Sequence, residues 1–201
     1  MAEGLKFALQ KDALALVIDQ AQQKPIGTAF VFIQTHWVVT ARHVVIQDGI
    51  PRRSLELFFS SKKNVPAKVL YAHPTLDLAV LEFRGGPCDA PLFPSHHQFS
   101  GSKGLITAGY ARTKGLVIEV NRIDSFDTER RDRVDGSEEL IVFDAPFADG
   151  GHSGGPVFGE GAGVVGAVIE DFPVEFLPLR SLRFRRGPEA DRCWVVTQGI
   201  V

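Results

Sequence analysis

Hydrophobic residues occur along the chain in short runs rich in Val, Ile, Leu and Phe. The runs are divided by closely spaced turn residues, which include 20 glycines and 12 prolines. They lack the long 3.6-residue periodicity that marks amphipathic helices. Short β-branched runs separated by turn signals are typical of antiparallel sandwiches and barrels. The pattern therefore predicts an all-β protein.

The runs form two groups of six predicted strands. The first group is Ala13–Asp19, Gly27–Ile33, Trp37–Thr40, Leu55–Ser60, Pro66–Ala72 and Leu78–Phe83. The second group is Lys103–Tyr110, Gly115–Ile123, Glu139–Ala145, Gly155–Phe158, Gly163–Glu170 and Cys193–Gly199. Closing a sheet into a barrel removes edge strands that would otherwise aggregate. We therefore predict two six-stranded antiparallel β-barrels, over residues 1–84 and 103–201, joined by a linker over 85–102.

Two further segments are charged and are predicted to be loops. Asp124–Gly136 mixes acidic and basic residues, and Arg180–Arg192 holds five arginines diluted by two acidic residues. Few aromatic residues lie among these arginines, and interleaved aromatic and basic residues are what binding of single-stranded nucleic acid requires. A solvated connecting loop is therefore the better interpretation of the arginine-rich stretch.

Composition and charge narrow the class of protein further. The 201 residues carry a formal net charge of -2, which gives no overall attraction to nucleic acid or to an anionic membrane. Cys88 and Cys193 are the only cysteines, too few for a disulfide framework, and we expect both to be free thiols. The N-terminal residues are too charged for a signal peptide. We expect a soluble, cytoplasmic protein.

The most informative motif is the glycine-rich segment Gly150–Pro156, which contains Ser153. Glycines on both sides of a serine allow a tight turn that presents the hydroxyl group. They also allow backbone N–H groups to converge, which is what an oxyanion hole requires. A hairpin turn with an incidental serine would produce the same pattern, so this motif alone leaves both interpretations open.

A serine nucleophile needs a base, and the base needs a group that orients it. His43 directly follows an apolar run, and Asp77 opens another, where an unpartnered carboxylate would be costly. Each has a purely structural interpretation: a barrel-end histidine and a solvated aspartate. Together with Ser153 they follow the order His, Asp, Ser, which is one of the chain orders of the serine triad. This order places the site in the crevice between the two predicted barrels.

These motifs resemble those of the chymotrypsin-fold, trypsin-like serine proteases. The resemblance is carried by Thr40–Val44, Asp77–Leu81 and Gly151–Pro156. Gly27–Phe30 and Gly163–Gly166 occupy the places of comparable strands in that family. The compact loops and lack of disulfides are similar to bacterial catalytic domains of the high-temperature-requirement type.

The resemblance implies a serine endopeptidase that acts on proteins or peptides without a cofactor. His43 would be the general base, Asp77 its orienting partner and Ser153 the nucleophile. The backbone N–H groups of Gly151 and Ser153 would form the oxyanion hole. Substrate would bind as an extended strand beside the one that ends near Glu170.

The resemblance also implies a substrate pocket near Phe147 and the strand end at Ile169, Glu170 and Asp171. Phe147 would disfavour long basic side chains and the two acidic residues would favour them, so the preference stays open. His152 stands where secreted digestive members carry an aspartate that pairs with a new N-terminus. We therefore expect no activation of that kind. Latency until a partner or an additional domain orders the loops is a further expectation.

Three other interpretations are weighed against the protease. An α/β-hydrolase elbow also fits Gly151–Gly155, but that family needs a histidine after the serine, and none follows Gly154. Metal binding is disfavoured because His96–His97 has no ligand cluster at metal spacing around it. A catalytically silent domain with the same fold is the remaining alternative, and the complete triad argues against it.

Overall fold

The computed structural model describes residues 3–61, 64–94, 105–111, 117–123, 127–133, 136–143, 151–159, 163–171, 174–178, 182–186 and 193–197. The first half of the chain is a barrel preceded by a helix. Its elements are α1 (Glu3–Gln10), β1 (Leu14–Asp19), β2 (Lys24–Val31), β3 (Trp37–Thr40), α2 (Arg42–Val45), β4 (Ile46–Gln47), β5 (Ile50–Pro51), β6 (Leu55–Phe59), β7 (Asn64–Ala72) and β8 (Ala79–Phe83).

Six of these strands close into a barrel in the order β1-β2-β3-β8-β7-β6. All neighbouring pairs are antiparallel. The strands β4 and β5 form a separate short hairpin. The prediction of a six-stranded antiparallel barrel in the first half is confirmed.

Alternating side chains fill the barrel. In β6, Leu55, Leu57 and Phe59 are buried while the residues between them are partly exposed, as the two-residue period of a strand requires. Phe59 packs on Phe83 with ring centroids 5.5 Å apart. Each fully buried side chain of this size stabilises the fold by roughly 1.5–3 kcal/mol relative to its exposed state. These residues are part of one continuous hydrophobic core.

The helix α1 has no counterpart in the predicted elements. Leu5 and Ala8 are fully buried and lie three residues apart, so they share one face of the helix. The helix is only 8 residues long, too short for its periodicity to stand out from the sequence. Packing of this face against the core stabilises it, since an isolated helix of that length is marginal in water. Neither described helix has the length and apolar character of a membrane-crossing segment.

The second half of the chain is also built from strands. They are β9 (Leu105–Ala111), β10 (Val117–Ile123), β11 (Asp127–Arg133), β12 (Gly136–Phe143), β13 (Pro156–Phe158), β14 (Val164–Asp171), β15 (Val174–Pro178), β16 (Leu182–Arg186) and β17 (Cys193–Thr197). Seven of them form a sheet in the order β10-β9-β13-β14-β15-β12-β11, and β16 pairs with β17. Each of the six predicted strands has a counterpart here, and closure into a second barrel stays a prediction.

The prediction of a loop over Asp124–Gly136 is wrong for Asp127–Arg133, which is β11. The register with β12 sets Arg130 opposite Glu139 and Arg131 opposite Glu138. The sequence of this strand, DTERRDR, has no hydrophobic alternation, so it resembles the sequence of a loop. β16 lies within Arg180–Arg192, where a connecting loop was expected, and β15 has no counterpart among the predicted strands.

The described part of the predicted linker is bonded to both halves. Leu92 donates from its N–H to the Val31 carbonyl, at 2.9 Å, and accepts from the N–H of Ile33, at 2.8 Å. The next residue, Phe93, accepts from the N–H of Val164 in β14, at 2.9 Å. These bonds dock the segment along the end of β2 and bring β14 close to the barrel. The domain boundaries themselves stay a prediction.

Candidate active site

His43 lies on the short helix α2 at the end of β3. β3 ends at Thr40, and the chain turns through the buried residue Ala41 into the helix. Val44 and Val45 are the buried residues of this helix, and they anchor it to the core. The His43 side chain is 50% exposed, so a rigid helix presents it to solvent.

Asp77 bonds His43 with both of its carboxylate oxygens. Oδ1 accepts the backbone N–H of His43 at 2.8 Å, and Oδ2 lies 2.6 Å from the ring nitrogen Nδ1. Because a carboxylate accepts, Nδ1 carries the proton in this arrangement, and Nε2 is the lone-pair nitrogen of the ring. Two bonds from one carboxylate therefore define both the position and the tautomer of the imidazole.

His73 shapes the turn that ends at Asp77. Its buried Nδ1 accepts the backbone N–H of Leu76 at 2.9 Å and that of Thr75 at 3.2 Å. The backbone N–H of His73 donates to the carbonyl of Leu78 at 2.9 Å, which closes the turn between β7 and β8. The turn is thus built around an imidazole acceptor. The sequence alone assigns no role to His73, because this role arises from the geometry of the turn.

Ser153 lies in a turn that only glycines can form at two positions. Gly151 has a φ of +148° and Gly154 a φ of +87°. A Cβ atom on Gly154 would be 2.2 Å from both the Thr28 carbonyl oxygen and the Thr40 hydroxyl oxygen. The turn therefore packs directly on β2 and β3. Ser153 itself is only 5% exposed.

Backbone hydrogen bonds hold this turn in place. The N–H of Gly155 donates to the carbonyl of His152 at 2.7 Å. Gly154 and Gly155 then bond Val168 of β14, through N–H to O distances of 2.7 and 2.9 Å. The Ser153 carbonyl accepts the N–H of Thr28 at 2.8 Å, which joins the turn to the first barrel.

Gly27 separates the Ser153 turn from the His43 helix. A Cβ atom at Gly27 would lie 2.7 Å from Val44 Cγ2 on the helix and 3.0 Å from the Ser153 carbonyl oxygen. On the other flank, a Cβ atom at Gly154 would lie 2.8 Å from the backbone nitrogen of Ala41. The Ser153 turn and the His43 helix are therefore so close that no side chain fits between them at Gly27 or Gly154. The fold brings the predicted nucleophile and base to one end of the barrel.

The remaining predicted site residues are those of the substrate pocket. Phe147 lies outside the described residues. Ile169, Glu170 and Asp171 end β14, where the register pairs Glu170 with Glu175 and Asp171 with Val174 of β15. On the opposite side, β13 pairs with β14 only as far as Ala167. Among the described strands, the end of β14 therefore has one unpaired edge.

Cys88 is a free thiol in the buried part of the linker. Its Sγ donates to the carbonyl of Ala90 at 3.1 Å, and burial raises the pKa of the thiol above its usual value. A thiol with a raised pKa forms little of the reactive thiolate at neutral pH. This environment disfavours Cys88 as a nucleophile.

A family model for the trypsin-like peptidase domain matches residues 27–167, more than half of the chain. The chain belongs to this family and is a serine endopeptidase by family. The match covers the three motifs around His43, Asp77 and Ser153. A comparison with curated protein sequences finds no match.

Solved structures of the same fold agree with this assignment. The Rv3671c protease of M. tuberculosis in its inactive form is 18% identical, with a TM-score of 0.68 and 87% of each chain covered. Its active form is 20% identical, with a TM-score of 0.65 and coverage of 87% of this chain and 79% of that one. The HtrA-type protease AlgW, solved with a tripeptide, is 16% identical, with a TM-score of 0.64 and coverage of 85% and 57%. At these identities the likeness establishes the chymotrypsin-like fold.

Proposed function

We propose that this chain cleaves peptide bonds of proteins through an acyl-enzyme intermediate formed on Ser153. The observation that carries the proposal is the pair of hydrogen bonds between the Asp77 carboxylate and His43, one to the backbone N–H and one to Nδ1. A carboxylate in this position orients the imidazole and stabilises the imidazolium that forms when the ring accepts a proton. A barrel-end histidine without a catalytic role would have no need of a partner that defines its tautomer.

The reaction uses Nε2 of His43 twice. In the first step Nε2 takes the Ser153 Oγ proton while Oγ bonds to the scissile carbonyl carbon, and the carbonyl oxygen gains negative charge. The backbone N–H groups of Gly151 and Ser153 donate to that oxygen. Nε2 then gives its proton to the leaving amine as the C–N bond breaks. Water attacks the acyl-enzyme in the same way and releases Ser153.

The substrate is proposed to bind as an extended strand along Ile169–Asp171. This part of β14 extends past β13 and keeps an unpaired edge among the described strands. Extended peptides add to such edges through main-chain hydrogen bonds, and side-chain pockets then select the sequence. Phe147, Glu170 and Asp171 would line that pocket. The fold family also supports closure of the second-half strands into a second barrel, with the substrate in the crevice between the two.

Labelling with a fluorophosphonate tests the proposal, because the reagent needs an activated serine hydroxyl and an oxyanion hole. We expect one adduct on Ser153 by intact mass and peptide mapping, absent from Ser153→Ala and His43→Ala. Ser60→Ala is the matched control, since the Ser60 hydroxyl bonds Asp12 and not a residue of the predicted triad, and it should leave labelling unchanged. No adduct on a folded wild-type chain would overturn the proposal and favour a silent scaffold with this fold.

The labelled fraction also tests latency, which we propose as a property of the isolated chain. Ser153 is only 5% exposed, and the Rv3671c protease has been solved in forms named inactive and active. A latent enzyme labels a small fraction of its molecules even after long incubation. Stoichiometric labelling of the isolated chain would show that its activity is constitutive, without an activating partner or domain.

A further inference from the structure

Thr28 is a buried residue of β2 whose backbone and side-chain polar groups all form hydrogen bonds. Its N–H donates to the Ser153 carbonyl at 2.8 Å, and its hydroxyl donates to the Gly151 carbonyl at 2.6 Å. The same hydroxyl accepts the N–H of Tyr110 in β9 at 2.9 Å. The Thr28 carbonyl accepts the hydroxyl of Thr40 at 2.7 Å. One side chain thus connects the first barrel, the second sheet and the serine turn.

The two carbonyls that Thr28 bonds belong to the residues whose N–H groups would form the oxyanion hole. A peptide group is planar, so fixing the Gly151 carbonyl fixes the plane of the bond to His152. Fixing the Ser153 carbonyl holds the other end of the same three residues. Gly151 is a glycine at φ +148°, with little intrinsic preference for one conformation. Each bonded carbonyl lies one Cα atom away from the N–H of the same residue, so the bonds to Gly151 and Ser153 limit the backbone rotations by which these N–H groups could turn away.

We infer that Thr28 is a positioning residue that holds Gly151–Ser153 in the conformation in which their N–H groups converge. The inference rests on the proposed function, since it concerns the oxyanion hole of that reaction. Thr28 does not touch the substrate in this role. It acts through the two carbonyls, and its hydroxyl is oriented for donation because its acceptor side is occupied by the N–H of Tyr110.

The chemistry of the side chain makes the inference specific. Thr28→Val keeps the branched shape in a buried site but can neither donate to Gly151 nor accept from Tyr110. Thr28→Ser keeps the hydroxyl and loses only a methyl group. A role in packing alone would be preserved better by valine, and a role in positioning would be preserved better by serine.

Steady-state kinetics on a peptide substrate separate these roles. We expect Thr28→Val to lower kcat roughly 10- to 100-fold with KM changed less than about twofold, because oxyanion donors act in the transition state. Thr28→Ser should recover most of the loss. Thr107→Val is the matched control. It also removes the hydroxyl of a buried threonine, but one that lies in β9, and it should leave kcat unchanged. If Thr28→Val does not fold, Thr28→Ala removes the same hydroxyl and is judged by the same criteria.

A folded Thr28→Val with wild-type kcat, or with a loss confined to KM, would overturn the inference. Amide hydrogen exchange at Gly151 and Ser153, followed by NMR, distinguishes this failure from failure of the proposed function. Where the wild-type chain shows no turnover, faster exchange of these two amides in Thr28→Val, but not in Thr28→Ser or Thr107→Val, supports the role of Thr28. Unchanged exchange overturns it whether or not the chain is active.

Discussion

The two segments that meet at the candidate active site are held in place by different forces. His43 is positioned by two hydrogen bonds to the Asp77 carboxylate. The Ser153 turn is positioned by several backbone hydrogen bonds, by the close approach of Gly154 to β2 and β3, and by one side-chain donor, the hydroxyl of Thr28. The position of His43 therefore depends on one carboxylate, whereas the fit of the Ser153 turn also depends on the absence of a side chain at Gly154.

Because of this difference, a substitution at Asp77 and a substitution at Gly154 should affect different properties of the protein. Removing a carboxylate beside an exposed histidine changes the proton position while leaving the core intact. Adding a methyl group where a glycine contacts two buried oxygens forces the turn itself to move. Substitutions in the two segments should therefore report on different quantities, turnover in one and folding free energy in the other.

The largest effect is expected from Asp77→Asn. The amide can still accept the His43 N–H through its oxygen, but its NH2 group would then face Nδ1. The ring would have to present a lone pair there and carry its proton on Nε2, the nitrogen that must act as base. We expect kcat to fall by roughly 10³–10⁴-fold, as for the wrong tautomer in a serine triad, with a minor loss of stability.

Asp12→Asn is the control for this substitution. Asp12 also accepts several bonds through one carboxylate, from the N–H and hydroxyl of Ser60 and the N–H of Ser61. It is remote from His43, so its substitution should lower stability by about 1 kcal/mol and leave kcat unchanged. Equal kinetic effects of the two substitutions would contradict a specific role for Asp77.

The next effect concerns stability. Gly154→Ala would set a Cβ atom 2.2 Å from two oxygens at a φ of +87°, and we expect a loss of about 3 kcal/mol or more in the free energy of unfolding. Gly49→Ala is its matched control, with a φ of +77° and no atom within 4 Å of the new Cβ. That change should cost only about 1 kcal/mol, from backbone conformation alone. Urea denaturation measures both, and similar losses would show that the close approach is unimportant.

The sequence predicts the first barrel well because its strands carry a clear hydrophobic pattern. Trp37–Thr40 has the same limits in prediction and structure, and Leu55–Phe59 differs by one residue. The pattern fails where an element lacks a clear hydrophobic period. β11 has no hydrophobic alternation and is recognised only by its pairing with β12, and α1 is short and held by tertiary packing.

At the candidate site, too, the sequence identifies only some of the residues. His43, Asp77 and Ser153 can be recognised from motif and order, because their chemistry requires those residue types. Thr28 and His73 cannot, because their roles arise from contacts with residues far apart in the chain or from a turn geometry that the sequence does not display. Thr28 bonds Gly151 across 123 positions of sequence. Residues that position a site through backbone groups have no motif of their own.

The smallest effect, at His73, tests whether side-chain control of the His43 segment extends beyond Asp77. His73→Phe keeps the edge-to-face contact with Tyr71, at a centroid distance of 6.0 Å, but removes the acceptor of the Leu76 N–H. We expect a loss of about 1 kcal/mol in stability and roughly a fewfold fall in kcat/KM, because the turn that ends at Asp77 loosens. His73→Asn should restore both in part, since a short amide side chain accepts bonds from such a turn. Tyr71→Phe keeps the ring pair and should change neither quantity. A larger kinetic loss in His73→Asn, which lacks the ring, than in His73→Phe, which keeps it, would place the effect in ring packing rather than in the turn.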